Sequence, residues 1–197
     1  MKREISPALL VLSLALGCIV LRLLNNALPQ VMPNASPMLA VAFAGAMFLP
    51  RAWGWLVGPA TFLATGLAFT LADHVANGPI FSSFSVFCAL FYAGAGLLGV
   101  VIAQHKTLGR IVTGSLVCSL LFYVVANTIS WYELDYAKSW AGWWQANTTG
   151  LPGYLPTWHF LRNAAIGDLL FVLLIVGCLE PSLFAGRFRT RTAPQAA

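Results

Sequence analysis

Charge is what this 197-residue chain has least of: 9% of its residues are Asp, Glu, Lys or Arg, while 59% are hydrophobic. Soluble domains carry about 25% charged residues, so the composition excludes a soluble enzyme, a disordered tail and a disulfide-stapled secreted domain. The four cysteines, Cys18, Cys88, Cys118 and Cys178, lie in apolar runs without C-x-x-C spacing, which argues against a zinc or redox motif. They read as small packing residues, although Cys88, in the outer part of its run, could face a pocket. The three histidines, His74, His105 and His159, form no H-E-x-x-H or similar pattern. With no metal cluster, nucleophile motif or phosphate loop, the expectation is a protein that is not an enzyme and has neither metal nor cofactor.

What the chain does have is apolar runs long enough, or nearly so, to cross a hydrocarbon core that takes about 20 helical residues. Spans are read at 7–24, 36–50, 52–72, 84–104, 111–130 and 161–179. The expectation is an all-α polytopic membrane protein of six transmembrane helices, a single domain over 1–180 with a short basic tail at 181–197. Lys2, Arg3, Arg51, Lys106, Arg110, Arg187, Arg189 and Arg191 fall on one side of these spans, and only Lys138 lies in a loop on the other. The positive-inside rule therefore puts both termini in the cytoplasm. It also leaves no basic patch for nucleic acid, and lipid is the expected surroundings. Ala15-Leu16-Gly17-Cys18 has the look of a processing site, but the apolar residues that follow favour a retained span.

Four features depart from a plain bundle. First, the stretch after Asn34, Ser36 and Pro37 is short, which fits either a helix starting below the surface and lining a cavity, or a tilted helix in a thinned bilayer. Second, Gly54/Gly58 and Ala95/Gly99 have the four-residue spacing that lets helices approach closely in lipid. Ser13/Gly17 share it and could meet another span or a partner subunit. Third, Arg22 and Asp168 are ionisable residues within spans. A pair between Asp168 and Arg22 or Arg162 would offset their burial, either fixing helix register or forming a polar floor for a ligand.

The fourth feature is the segment from Trp131 to Phe160, which holds five of the seven tryptophans. Tyr136, Trp140, Trp143 and Trp144 are spaced as one stripe on a short interfacial helix. The segment is an aromatic belt at headgroup level, or a lid turned back to the bundle by Gly150, Pro152, Gly153 and Pro156. Asn127 and Trp131 share a helix face at the same end.

Ala126-Asn127-Thr128-Ile129-Ser130-Trp131, Gly150-Leu151-Pro152-Gly153-Tyr154, Phe160-Leu161-Arg162-Asn163, Gly167-Asp168-Leu169-Leu170 and the stretch from Asn34 to Gly45 together resemble an uncharacterised bacterial family of six-span transport proteins. That family is similar in size and span pattern to the S components of energy-coupling factor vitamin transporters, including solitary cobalamin carriers. The resemblance implies an S-component-like bundle in the bacterial inner membrane. It would bind a vitamin-like small molecule from the outside, with an energising transporter module as a partner. The paired-alanine motif by which S components grip that module is not clear in the first span, which has only Ser13 and Gly17.

The expected substrate-binding residues are Arg22, Asn34, Asn127, Trp131, Tyr154, Trp158, Arg162, Asn163 and Asp168. Trp131, Tyr154 and Trp158 would stack on the ligand, and Asn127, Arg162 and Asn163 would hold its polar groups. Two other classes compete. One is an assembly subunit that docks a partner through the Trp-rich loop. The other is an intramembrane enzyme using Asp168 with Arg162 or His159.

Overall fold

The computed structural model describes residues 6–27, 37–73 and 83–185, and among these every regular element is helical. The elements are α1 (Pro7–Ala27), α2 (Met38–Ala40) running on into a π-helical turn at Val41–Gly45, α3 (Val57–Asp73) after a 3-10 turn at Gly54–Leu56, α4 (Ser83–Ile102), α5 (Leu108–Glu133), α6 (Trp140–Ala146), α7 (Trp158–Leu179) and α8 (Ser182–Ala185). Three segments are long and apolar enough to cross a membrane: Phe84–His105, Leu108–Glu133 and Trp158–Leu179. Shorter apolar helices cover Pro7–Leu23 and Gly54–Phe69. The leucines and valines on their outer faces, such as Leu90, Leu121 and Leu170, are exposed. Such a surface suits lipid better than water.

The stretch read as a span at 36–50 is the centre of the molecule. From Met38 to Ala46 the chain is buried throughout, packed among α1, α3, α4 and α7. Its backbone is irregular: a π turn inserts an extra residue into the helical ladder, and Met47 and Phe48 return to i−3 bonds with the carbonyls of Ala44 and Gly45. Such backbone is tolerated at membrane depth where protein surrounds it, and here the shelter is protein. Ala40, Ala42 and Ala44 keep the segment thin, and the neighbouring helices meet it with glycines. A methyl at Gly58 would strike Ala42, one at Gly99 the Phe43 carbonyl oxygen, and one at Gly114 the Phe43 ring. The expected close contacts of Gly58 and Gly99 are thus present, made with the central segment. Gly17 on α1 meets nothing within 4 Å, and Ser13 donates only to its own helix at Leu9.

The two ends of α5 differ. At its start Thr107 caps the helix by accepting from the Arg110 N–H, and Arg110 also donates to the His105 carbonyl. Beside it Lys106 pairs with Glu180 and lies over the Phe48 ring, closing that end of the bundle. The far end of α5 carries the aromatic segment. Asn34, Ser36, His74 and the tail from 186 lie outside the described residues.

Candidate functional site

The aromatic segment is an ordered substructure. Ser139 caps α6 by accepting from the Gly142 N–H, the role short hydroxyl side chains fill at helix starts. Gly142 is required there because a Cβ would collide with the Ala137 carbonyl. Tyr123 on α5 donates to the Asn147 carbonyl at 2.6 Å, and Thr157 lies within hydrogen-bond reach of the Ala146 and Thr148 carbonyls at 2.9 Å. These bonds tie the end of α6 to α5 and to the start of α7. Gly150 and Gly153 turn the chain with φ of 70° and 89°, a backbone region that side-chain-bearing residues rarely adopt.

Between α6 and the end of α5 lies an open groove of about 400 Å³ lined by Thr128, Trp131, Lys138, Ser139, Trp140 and Trp143. Its volume falls within the range of about 300–1,000 Å³ usual for small-molecule sites. Trp140 and Trp143 stack with ring centroids 4.7 Å apart. The Trp143 indole N–H donates to Thr128 Oγ1 at 2.8 Å, and that of Trp131 to the Ala137 carbonyl at 2.8 Å. Lys138 folds back so that its ammonium donates to the carbonyls of Trp131, Tyr132 and Leu134 at 2.6, 3.0 and 2.8 Å. It thereby satisfies carbonyls that the end of α5 leaves open, and a cation is favoured at that end of a helix.

A donor count follows from these bonds. All three ammonium hydrogens and the indole hydrogens of Trp131 and Trp143 are engaged, and the Thr128 hydroxyl donates to the Val124 carbonyl. Among the lining side chains the Ser139 hydroxyl, which is an acceptor in the cap, and the indole N–H of the exposed Trp140 keep a hydrogen to give. The groove therefore offers ring faces, one cationic charge, one hydroxyl donor and one indole donor.

Two expected outcomes follow locally. Lys138→Met keeps the stem and removes the ammonium. It should make amides 131–137 exchange about fivefold faster, an opening cheaper by about 1 kcal/mol; unchanged exchange would show that the three contacts contribute nothing. Tyr136 is buried under the segment, and burial pushes its phenol above the ordinary value of about 10, while a bond from the Leu151 backbone opposes this. A raised folded-state value means stability that is complete below about pH 10 and lost as pH rises through the folded value. Tyr136→Phe should abolish that alkaline loss in thermal unfolding.

Of the described residues expected to bind substrate, only Trp131 lines the groove; Asn34 lies outside the described residues. Asn127 donates to the Tyr123 carbonyl on its own helix at 2.8 Å. Trp158, His159, Arg162 and Asn163 form a separate group on the first turns of α7: Trp158 stacks on His159 at 3.8 Å, Arg162 lies over Trp158 and donates to Asn163 Oδ1. Tyr154 is 77% exposed. Cys88 is buried in the core. Thr128, Lys138, Ser139, Trp140 and Trp143 were not among the expected ligand contacts. The one signal for them was the solitary loop cation amid tryptophans.

The expected ion pair is replaced. Arg22 lies over the Phe62 ring at 5.7 Å, and Arg162 stays at the surface, so neither pairs with Asp168. Asp168 is 7% exposed and lies 2.7 Å from Ser119 Oγ. It is also deeper than the sequence suggested. Because α7 begins at Trp158, Asp168 falls midway along its 22 residues, and Ser119 midway along α5. At 1.5 Å per residue, Ser119 is about 14 Å from Thr128 along α5. Asp168 therefore belongs to the interior and not to the groove. A carboxylate there would cost about 3 kcal/mol on insertion scales.

Helices of spanning length, a lipid-compatible surface and an aromatic groove at one end define an all-helical protein of membrane type. The chain belongs to a family of unknown function (DUF6580), which it matches over residues 2–188. No curated protein and no solved structure is significantly similar to it.

Proposed function

We propose that the protein is a multi-pass inner-membrane transport component that captures a vitamin-like small molecule from the extracytoplasmic side. The observation that carries this reading is the groove walled by Trp131, Trp140 and Trp143 at the end of α5 opposite Lys106 and Arg110. By the positive-inside rule the basic end is cytoplasmic, so the groove opens outward. The remaining spans of a six-helix topology are α1, the segment through α2 and α3, with both termini inside. An S-component-like role would imply the same direction of capture and an energising module as partner.

The groove also defines a ligand class. With only the Ser139 hydroxyl and the Trp140 indole N–H left to donate, it suits a planar cyclic compound that stacks on indole rings and presents acceptors to those two groups. Lys138 adds attraction for a partial negative charge. A thermal-shift screen of full-length protein against vitamin-like planar compounds tests this. A ligand at 100 times its Kd should stabilise the wild type by about 2.7 kcal/mol, and Trp131→Ala by much less. Equal stabilisation of both would remove the groove as the site.

A second reading rests on the exposed Tyr132, Trp144 and Tyr154, which lie outside the groove and would serve an assembly subunit docking a partner. That reading requires stable co-purification with a second membrane protein and no ligand response.

A further inference from the structure

We propose that Asp168 and Ser119 form a proton-binding site in the middle of the bundle, with Asp168 holding the proton as a neutral acid. This goes beyond ligand capture and stands whether or not the groove is the binding site. Ser119 Oγ has two close oxygens: Asp168 Oδ2 at 2.7 Å and the Ser115 carbonyl at 3.1 Å. One hydroxyl hydrogen serves one of these at a time. If Asp168 were a carboxylate, one contact would bring two acceptors together with no hydrogen between them. A neutral Asp168 supplies the missing hydrogen: its O–H donates to Ser119 Oγ, and Ser119 donates to the Ser115 carbonyl.

The surroundings favour the same state. Among the described residues no cation pairs with Asp168. The central segment against which α7 packs carries no titratable side chain from Met38 to Gly45. From α5 the titratable neighbour is Cys118, and from α4 it is Tyr92. Arg22, Cys88 and Cys18 lie within electrostatic reach of Tyr92, and Arg22 is engaged with Phe62. Ser115 Oγ, one turn from Ser119 on the same face of α5, is buried without a hydrogen-bond partner.

The step is simple protonation, with the proton drawn from and returned to bulk water. No covalent bond other than O–H forms or breaks. Ionisable groups at such depth are commonly proton relays.

Infrared difference spectroscopy of the full chain in lipid vesicles, without added ligand, tests the site. At pH 7 the wild type minus Asp168→Asn spectrum should contain the carbonyl stretch of one protonated carboxylic acid. Ser119→Ala, which leaves the acid in place, should move the band. A difference spectrum with only carboxylate bands at pH 7 would overturn the proposal, and a band unmoved by Ser119→Ala would overturn Ser119 as the partner.

Discussion

Gly99→Ala should destabilise the protein by about 1–3 kcal/mol, the usual cost of forcing extra atoms into a packed interior, whereas Gly94→Ala on the same helix should not. A methyl at Gly99 meets the Phe43 carbonyl, which is part of the π turn and has no flexible end to swing away, while a methyl at Gly94 meets nothing within 4 Å. At Gly94 alanine should even add about 0.5–1 kcal/mol through helix propensity. The same substitution five residues apart therefore carries opposite signs. Thermal unfolding of both variants in one detergent reads the contrast, and equal shifts would mean that the central segment is not clasped as described.

The other large effect is expected at Trp143. This ring is a wall of the groove, stacked on Trp140 and held by its bond to Thr128. Trp143→Ala removes stacking surface and should weaken ligand binding about 30-fold or more, the scale of a buried aromatic anchor worth about 2 kcal/mol. Trp143→Phe keeps a ring against Trp140 and loses only the bond to Thr128. Its expected loss is about fivefold, the worth of one hydrogen bond near 1 kcal/mol. Titrating a compound selected by thermal shift into both variants separates ring from donor, and identical affinities for alanine and wild type would exclude Trp143 from the site.

Much of this architecture was legible in the sequence because it depends on local physics. The apolar runs gave α4, α5 and α7 within a few residues, and the glycine spacings marked helices that approach closely. The tryptophan spacing pointed to a short helix, present as α6. Tyr136, however, precedes the Ser139 cap and is buried, while Trp140 and Trp143 face the groove and Trp144 stays exposed, so there is no single stripe.

What was not legible depends on helix rotation and depth. Asn127 and Asp168 looked available for ligand or arginine because spacing cannot show that Asn127 would turn onto its own backbone, or that a serine from α5 would face Asp168. Beginning α7 three residues later than it starts also moved Asp168 towards the surface. Lys138 looked like an orientation mark, and only the folded loop shows its ammonium closing the end of α5 and forming a wall of the groove.

The most direct test of the proposed aromatic binding groove is to purify wild type and a Trp131→Ala/Trp143→Ala variant side by side in mild detergent without added ligand. Both are then denatured, and the released small molecules are identified by mass spectrometry. The expected result is a planar cyclic compound released stoichiometrically from the wild type and depleted in the variant. The same compound released in equal amount from both would contradict a binding site built on those rings.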